Sequence, residues 1–113
     1  MEKQTLSQYQ EFSEEKFTKR IIFKQGSNTA FLLNFSPGQE LPPHPHPGSD
    51  VFIQMLQGQG LFIVDGEETA ASQGDLIHCR DQEKLSFKNN GSEPVSLYVV
   101  ISNIPSDEYA KNL

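Results

Sequence analysis

The chain has 113 residues, 35% of them hydrophobic and 21% charged, with a formal net charge of −6. This length fits one domain with a single core, and the composition excludes a disordered chain. The acidic balance repels phosphate backbones and anionic lipid, so neither nucleic acid nor a membrane surface is an expected partner.

The first segment, residues 1–17, reads as a polar N-terminal arm. Met1-Glu2-Lys3-Gln4 leads into it with no sign of a signal peptide. Leu6, Tyr9 and Phe12 recur at a spacing of three, which suits a short helix or an arm packed on the domain or on a neighbouring subunit. From residue 18 the texture changes to short runs rich in β-branched and aromatic residues, separated by glycine-containing turns. The predicted strands span 18–24, 29–36, 50–57, 60–64, 75–79, 84–89 and 95–102. Asp65-Gly66, between Leu61-Phe62-Ile63-Val64 and Glu67-Glu68-Thr69, is a strong hairpin signal. Many short strands without a long helical pattern predict an all-β sandwich or barrel over 18–104. Residues 105–113 form a polar tail, a frayed end or a short helix. Cys79 is the one cysteine, so no intrachain disulfide can form and a cytoplasmic location is expected. Apolar runs such as 98–101 are too short to cross a bilayer.

The most informative stretch is Pro42-Pro43-His44-Pro45-His46-Pro47-Gly48. Each proline fixes its own φ and biases its predecessor to extended backbone. His44 and His46 are therefore expected to be extended, and residues two apart in an extended chain face the same way. Two neutral imidazoles converging on one point form half of a divalent-metal site. The competing reading is a proline-rich surface loop with solvated histidines.

Residues 38–58 resemble the first motif of the cupin superfamily. They run from Gly38 through His44 and His46 to Asp50, then along Phe52-Ile53-Gln54-Met55-Leu56-Gln57-Gly58. Gly74-Asp75-Leu76-Ile77 and Asn89-Asn90-Gly91-Ser92-Glu93-Pro94 resemble the two ends of the second motif. The resemblance implies a small single-domain cupin: a double-stranded β-helix, or jelly-roll β-barrel, commonly a homodimer. It also implies a metal held inside the barrel by three histidines and one carboxylate.

Two of those ligand positions are altered. Counting back from Gly58 puts Val51 where the carboxylate stands, with Asp50 beside it. Counting back from Asn89 puts Leu85 where the third histidine stands. A carboxylate displaced by one position points to the other face of a strand unless a bulge intervenes. Asp50 is thus one candidate ligand, and His78, on the strand after Gly74-Asp75, is another. Cys79 would face opposite to His78 and reads as a small buried residue. Gln54 reaches the interior only if Asp50 does, and either Phe52 or Ile53 packs inside.

With Val51 in phase, the pocket holds Val51, Ile53, Met55 and Leu85 beside His44 and His46. That mix predicts a binding module for a small, partly apolar organic ligand such as a carboxylate or phenol. The alternative is a metal-dependent enzyme of dioxygenase or isomerase type. It would hold Fe, Mn, Ni or Zn on His44, His46 and Asp50 or His78. A metal-free sugar epimerase or isomerase would need a proton-transfer pair, commonly a histidine with an acid or a tyrosine; Tyr98 and Tyr109 are present, but nothing in the sequence places them near His44.

Overall fold

The computed structural model describes residues 1–103. Among them are a single 3₁₀ turn, Leu6–Tyr9, and nine strands. The strands are β1 (Thr18–Gln25), β2 (Asn28–Phe35), β3 (Glu40–His44), β4 (Ser49–Gln57), β5 (Gln59–Val64), β6 (Glu67–Ser72), β7 (Leu76–Arg80), β8 (Leu85–Lys88) and β9 (Val95–Asn103). They form two antiparallel sheets, a five-stranded one ordered β1-β2-β9-β4-β7 and a four-stranded one ordered β3-β8-β5-β6. This is the expected jelly roll. The polar tail and Tyr109 lie outside the described residues.

Each sheet is apolar on one face because its strands alternate. Along β4, Val51, Ile53 and Met55 are buried, while Phe52 and Gln54 are exposed. Ile53 is therefore the inward member of the Phe52/Ile53 pair. On β9, Leu97 and Val99 face the same core. Phe31, Leu33 and Phe35 face it from β2, and Phe62, Leu85 and Phe87 from the other sheet. Phe87 sits between Phe35 and Phe62, with ring centroids 5.0 and 4.8 Å away. Such tilted aromatic pairs add to the burial of the rings themselves. A glycine is required beneath this cluster, since a Cβ on Gly60 would lie 2.3 Å from Phe87 Cζ.

The β5–β6 hairpin forms as its sequence requires. Val64 pairs with Glu67 across Asp65 and Gly66, whose φ values are 51° and 82°. Both central residues are left-handed, as the tightest hairpin turns demand. Two strands lie outside the predicted strand spans, although the Asp65-Gly66 hairpin signal implies the first of them, β6. β6 reads as polar because all but one of its residues are exposed. β3 contains Pro42 and Pro43, and it tolerates them because it is a sheet edge paired only with β8.

The arm forms one 3₁₀ turn rather than an α-helix, and it is tied across the barrel by polar side chains. Asn34 Nδ2 donates to the Tyr9 carbonyl (2.8 Å), and Gln10 Nε2 donates to Ser96 Oγ and Gln57 Oε1 (3.1 Å each). Gln39 Nε2 and Ser36 Oγ both donate to the Ser13 carbonyl. Asn34 and Ser96 are fully buried, and the Ser96 hydroxyl donates to Asn34 Oδ1 (2.8 Å). Their hydrogen bonds to the arm and to each other offset the cost of burying them. This seating brings Phe17 onto Phe35, centroids 5.1 Å apart, and leads the chain directly into β1.

Candidate functional site

Proline biases β3 to extended backbone, and its last residue, His44, pairs with Leu85 of β8. The chain then turns through Pro45-His46-Pro47-Gly48 into β4. Asp81 fastens that turn. The Gly48 amide donates to its carboxylate (2.6 Å), the His46 amide to its carbonyl (3.2 Å), and its own amide to the Ser49 carbonyl (2.9 Å). Asp81 adopts a left-handed φ of 43° in doing so, a conformation that short polar side chains tolerate best.

Held this way, the two imidazoles meet edge to face, with centroids 4.6 Å apart. His44 Nδ1–H donates to the Pro42 carbonyl (2.8 Å). In its neutral form the ring then has Nε2 left as the acceptor or ligand atom. Burial lowers the His46 pKa, and the nearby His44 and Lys19 lower it further. His46 is accordingly neutral at physiological pH.

Both rings border a cavity of about 200 Å³ between the sheets. Val51, Ile53 and Leu85 line it with them, as do Phe31, Leu33, Leu41, Val99 and Ile101. Phe17 and Lys19 enter from the arm and the edge strand β1. These last seven were not singled out from the sequence. The inward phase of β2 and β9 could have found most of them, but the seating of the arm could not be read from sequence. Met55 was expected in the pocket. It is fully buried two steps deeper along β4, where the packed core has closed around it. A larger groove of about 360 Å³ lies among the turns at the other end of the barrel. It is shallow, and Glu93 is the ionisable side chain among the described residues that line it.

Asp50 and His78 do not join His44 and His46. Both occupy outward positions in the alternation of β4 and β7, and they pair with each other there. His78 Nε2–H donates to Asp50 Oδ1 (2.7 Å), and the ring stacks on Phe52 at 4.7 Å. No bulge shifts the register here, as Asp50 through Gln54 pair without interruption along β7. Gln54 faces outward for the same reason. Cys79 is buried, and desolvation raises its thiol pKa, with Glu83 and Asp65 adding to the shift. Tyr98 lies on the face of β9 opposite Val99, so it does not approach His44.

The donor set does not fit the metal centre that the resemblance implies. Val51 and Leu85 present hydrocarbon where a carboxylate and an imidazole would be needed. Among the described residues, no three His, Cys, Asp or Glu side chains come together.

Two antiparallel sheets closed around an interior cavity, with paired histidines at its rim, define a small jelly-roll barrel with an internal pocket. Residues 31–101 match the family model described as the cupin domain. The chain belongs to the cupin family.

Among curated proteins, it is 25% identical over 79 residues to a tetracenomycin polyketide synthase protein of Streptomyces glaucescens, covering 68% of this chain and 53% of that one. It is 30% identical over 84 residues to auxin-binding protein 1 of Arabidopsis thaliana, covering 66% and 42%. It is 26% identical over 69 residues to an oxalate-binding protein of Thermotoga maritima, covering 61% and 57%. The chain thus spans about half the length of the curated relatives it matches. Among solved structures, the TT1209 protein of Thermus thermophilus superposes with a TM-score of 0.86 at 27% identity, covering 93% of this chain and all of that one. No helix among the described residues is long and apolar enough to cross a membrane.

Proposed function

We propose that this cupin domain binds a small, partly apolar organic molecule, which His44 and His46 orient, and that it does so without the family's complete metal set. The observation that carries this reading is the composition of the cavity wall. Two adjacent imidazoles stand on one side, and aliphatic and aromatic side chains make up nearly all the rest. A few convergent polar groups in an apolar hollow are what fix the orientation of a small ligand. His44 offers Nε2 as an acceptor, and neutral His46 adds a second polar contact. A curated relative named for binding auxin supports the reading by analogy, and one named for binding oxalate supports only the coarser point that small organic molecules bind to related proteins. The metal-dependent alternative needs Asp50 or His78 beside His44 and His46, and a pair of these residues on the outer face gives it little support.

The test uses untagged protein reconstituted with iron, manganese, nickel and zinc in turn, alongside His46→Ala. Ligand-observed NMR with a library of small ring compounds is run on both. Fragment binding that is lost in His46→Ala, with metal far below one equivalent, is the expected outcome. Near-stoichiometric metal in the wild type that vanishes in His46→Ala overturns the metal-free reading.

For assembly, the homodimer is our proposal. It is supported by Phe52 and Leu76, which leave large apolar surfaces 41% and 72% exposed on the outer face of the five-stranded sheet. Light scattering that gives a monomer mass at working concentration rejects it.

A further inference from the structure

Among the described residues, the cavity carries one formal charge, and its sign is opposite to that of the chain. Lys19 stands on the inner face of β1, opposite Leu33, at the solvent-exposed mouth. Its Nζ lies 4.5 Å from the centre of the Phe31 ring, which forms part of the cavity wall. This cation–π contact holds the side chain over the opening rather than away from it. Arg20 is paired with Glu11 and Lys88 with Glu40, but among the described residues Lys19 has no carboxylate partner. No described Asp or Glu lines the cavity, although the sequence carries 15 of them. Lys19 is also one of the charges that depress the His46 pKa, so its field reaches the histidine wall.

Resting on the small-ligand reading above, we infer that the cavity selects a monocarboxylate with a compact apolar body, its carboxylate held at the mouth by Lys19 Nζ. Volume limits the body. Dry apolar cavities of about 150 Å³ accept benzene. The roughly 200 Å³ here therefore takes one ring or a branched aliphatic chain together with its carboxylate. The walls limit the other end of the molecule. Phe31, Leu33, Val51, Ile53 and Val99 offer nothing to a second carboxylate, so a dicarboxylate would bury an unpaired charge among them. The apolar body is thus expected to point inward between the sheets and the anion outward, with the imidazole edges beside the junction.

The experiment is calorimetric titration of the full chain with benzoate and with its neutral isostere benzamide, at low and high salt, in the wild type and in Lys19→Met. Circular dichroism checks that the variant is folded. An ammonium at a solvent-exposed mouth is partly screened, so benzoate is expected to bind about five- to tenfold more tightly than benzamide at low salt. That preference narrows toward unity in Lys19→Met, and in the wild type at about 1 M salt. Equal affinity of the wild type for the two probes overturns the carboxylate inference and leaves the small-ligand reading standing. A preference that survives in Lys19→Met overturns the role of Lys19. If neither probe binds, the small-ligand reading fails for ring compounds of this size, and the inference fails with it.

Discussion

Where β4 runs into β5, Phe35, Phe62 and Phe87 fill the barrel ring against ring, and Gly60 gives up its side chain to let Phe87 lie flat. At the other end of β4, the same alternation of inward residues continues through Ile53 and Val51, but the walls stop short of meeting. The two ends use similar residue types. They differ in size and in what stands opposite. Phenylalanines from both sheets interdigitate at the closed end, while at the open one Phe31 and mostly aliphatic side chains border a hollow with a pair of imidazoles at its rim. The packed end thus carries stability and leaves the open end free to carry a ligand.

The largest effect that would test this division is Phe87→Ala, expected to cost about 3–5 kcal/mol in urea unfolding. A loss below about 1 kcal/mol would mean that the closed end is not the stabilising half. Gly60→Ala drives a methyl group into the Phe87 ring and is expected to cost about 1–3 kcal/mol by the same measurement. At the open end the sign should change. Val51→Leu fills vacant volume, so stability should hold or rise by up to about 1 kcal/mol while binding of ring compounds is lost. Retained binding in this variant would place the ligand elsewhere.

Acidification sharpens the comparison further. The folded state holds the His46 pKa below the ordinary imidazole value of 6.5, so the unfolded chain takes up this proton first as pH falls. The stabilisation from a neutral His46 is complete above pH 6.5 and is lost as pH falls from there through the folded pKa. NMR titration of the His46 ring should give a midpoint below 6.5 that moves up in Lys19→Met, since removing that cation removes one of the depressing charges. A midpoint above 6.5 would contradict the buried setting of the ring. The smallest effect is expected at Asp50→Ala, on the outer face, at under about 1 kcal/mol and with no change in ring-compound binding.

The same contrast explains what could be read in advance. Strands whose two faces differ chemically were legible: β4 and β9 alternate, and the Asp65-Gly66 hairpin announces its own turn. β6 is implied only by that turn, since its own face pattern is nearly all exposed, and prolines hide β3. β3 is stabilised by β8, distant in sequence, and β6 by its hairpin neighbour β5, rather than by their own pattern. At the site, the His44-Pro45-His46 spacing indicated rings on a shared side, and the rings lie together. The sequence alone allows either Asp50 or Val51 to face inward on β4, and either face for His78 on β7. Uninterrupted pairing of the two strands decides both. The role of Phe17 depends on where the arm comes to rest, and that of Lys19 on the register of β1 against β2, neither of which the sequence pattern states. Asp81 carries no signal in the sequence because it acts on backbone amides of a turn more than thirty residues upstream.

The prolines of β3 have one more consequence. Pro42 and Pro43 have no amide protons, so this margin of the four-stranded sheet cannot template an incoming strand from another polypeptide. The rim that carries His44 is thereby protected against being zipped shut by fibril-like stacking. Any self-association built on main-chain ladders would have to begin at β1, β6 or β7 instead.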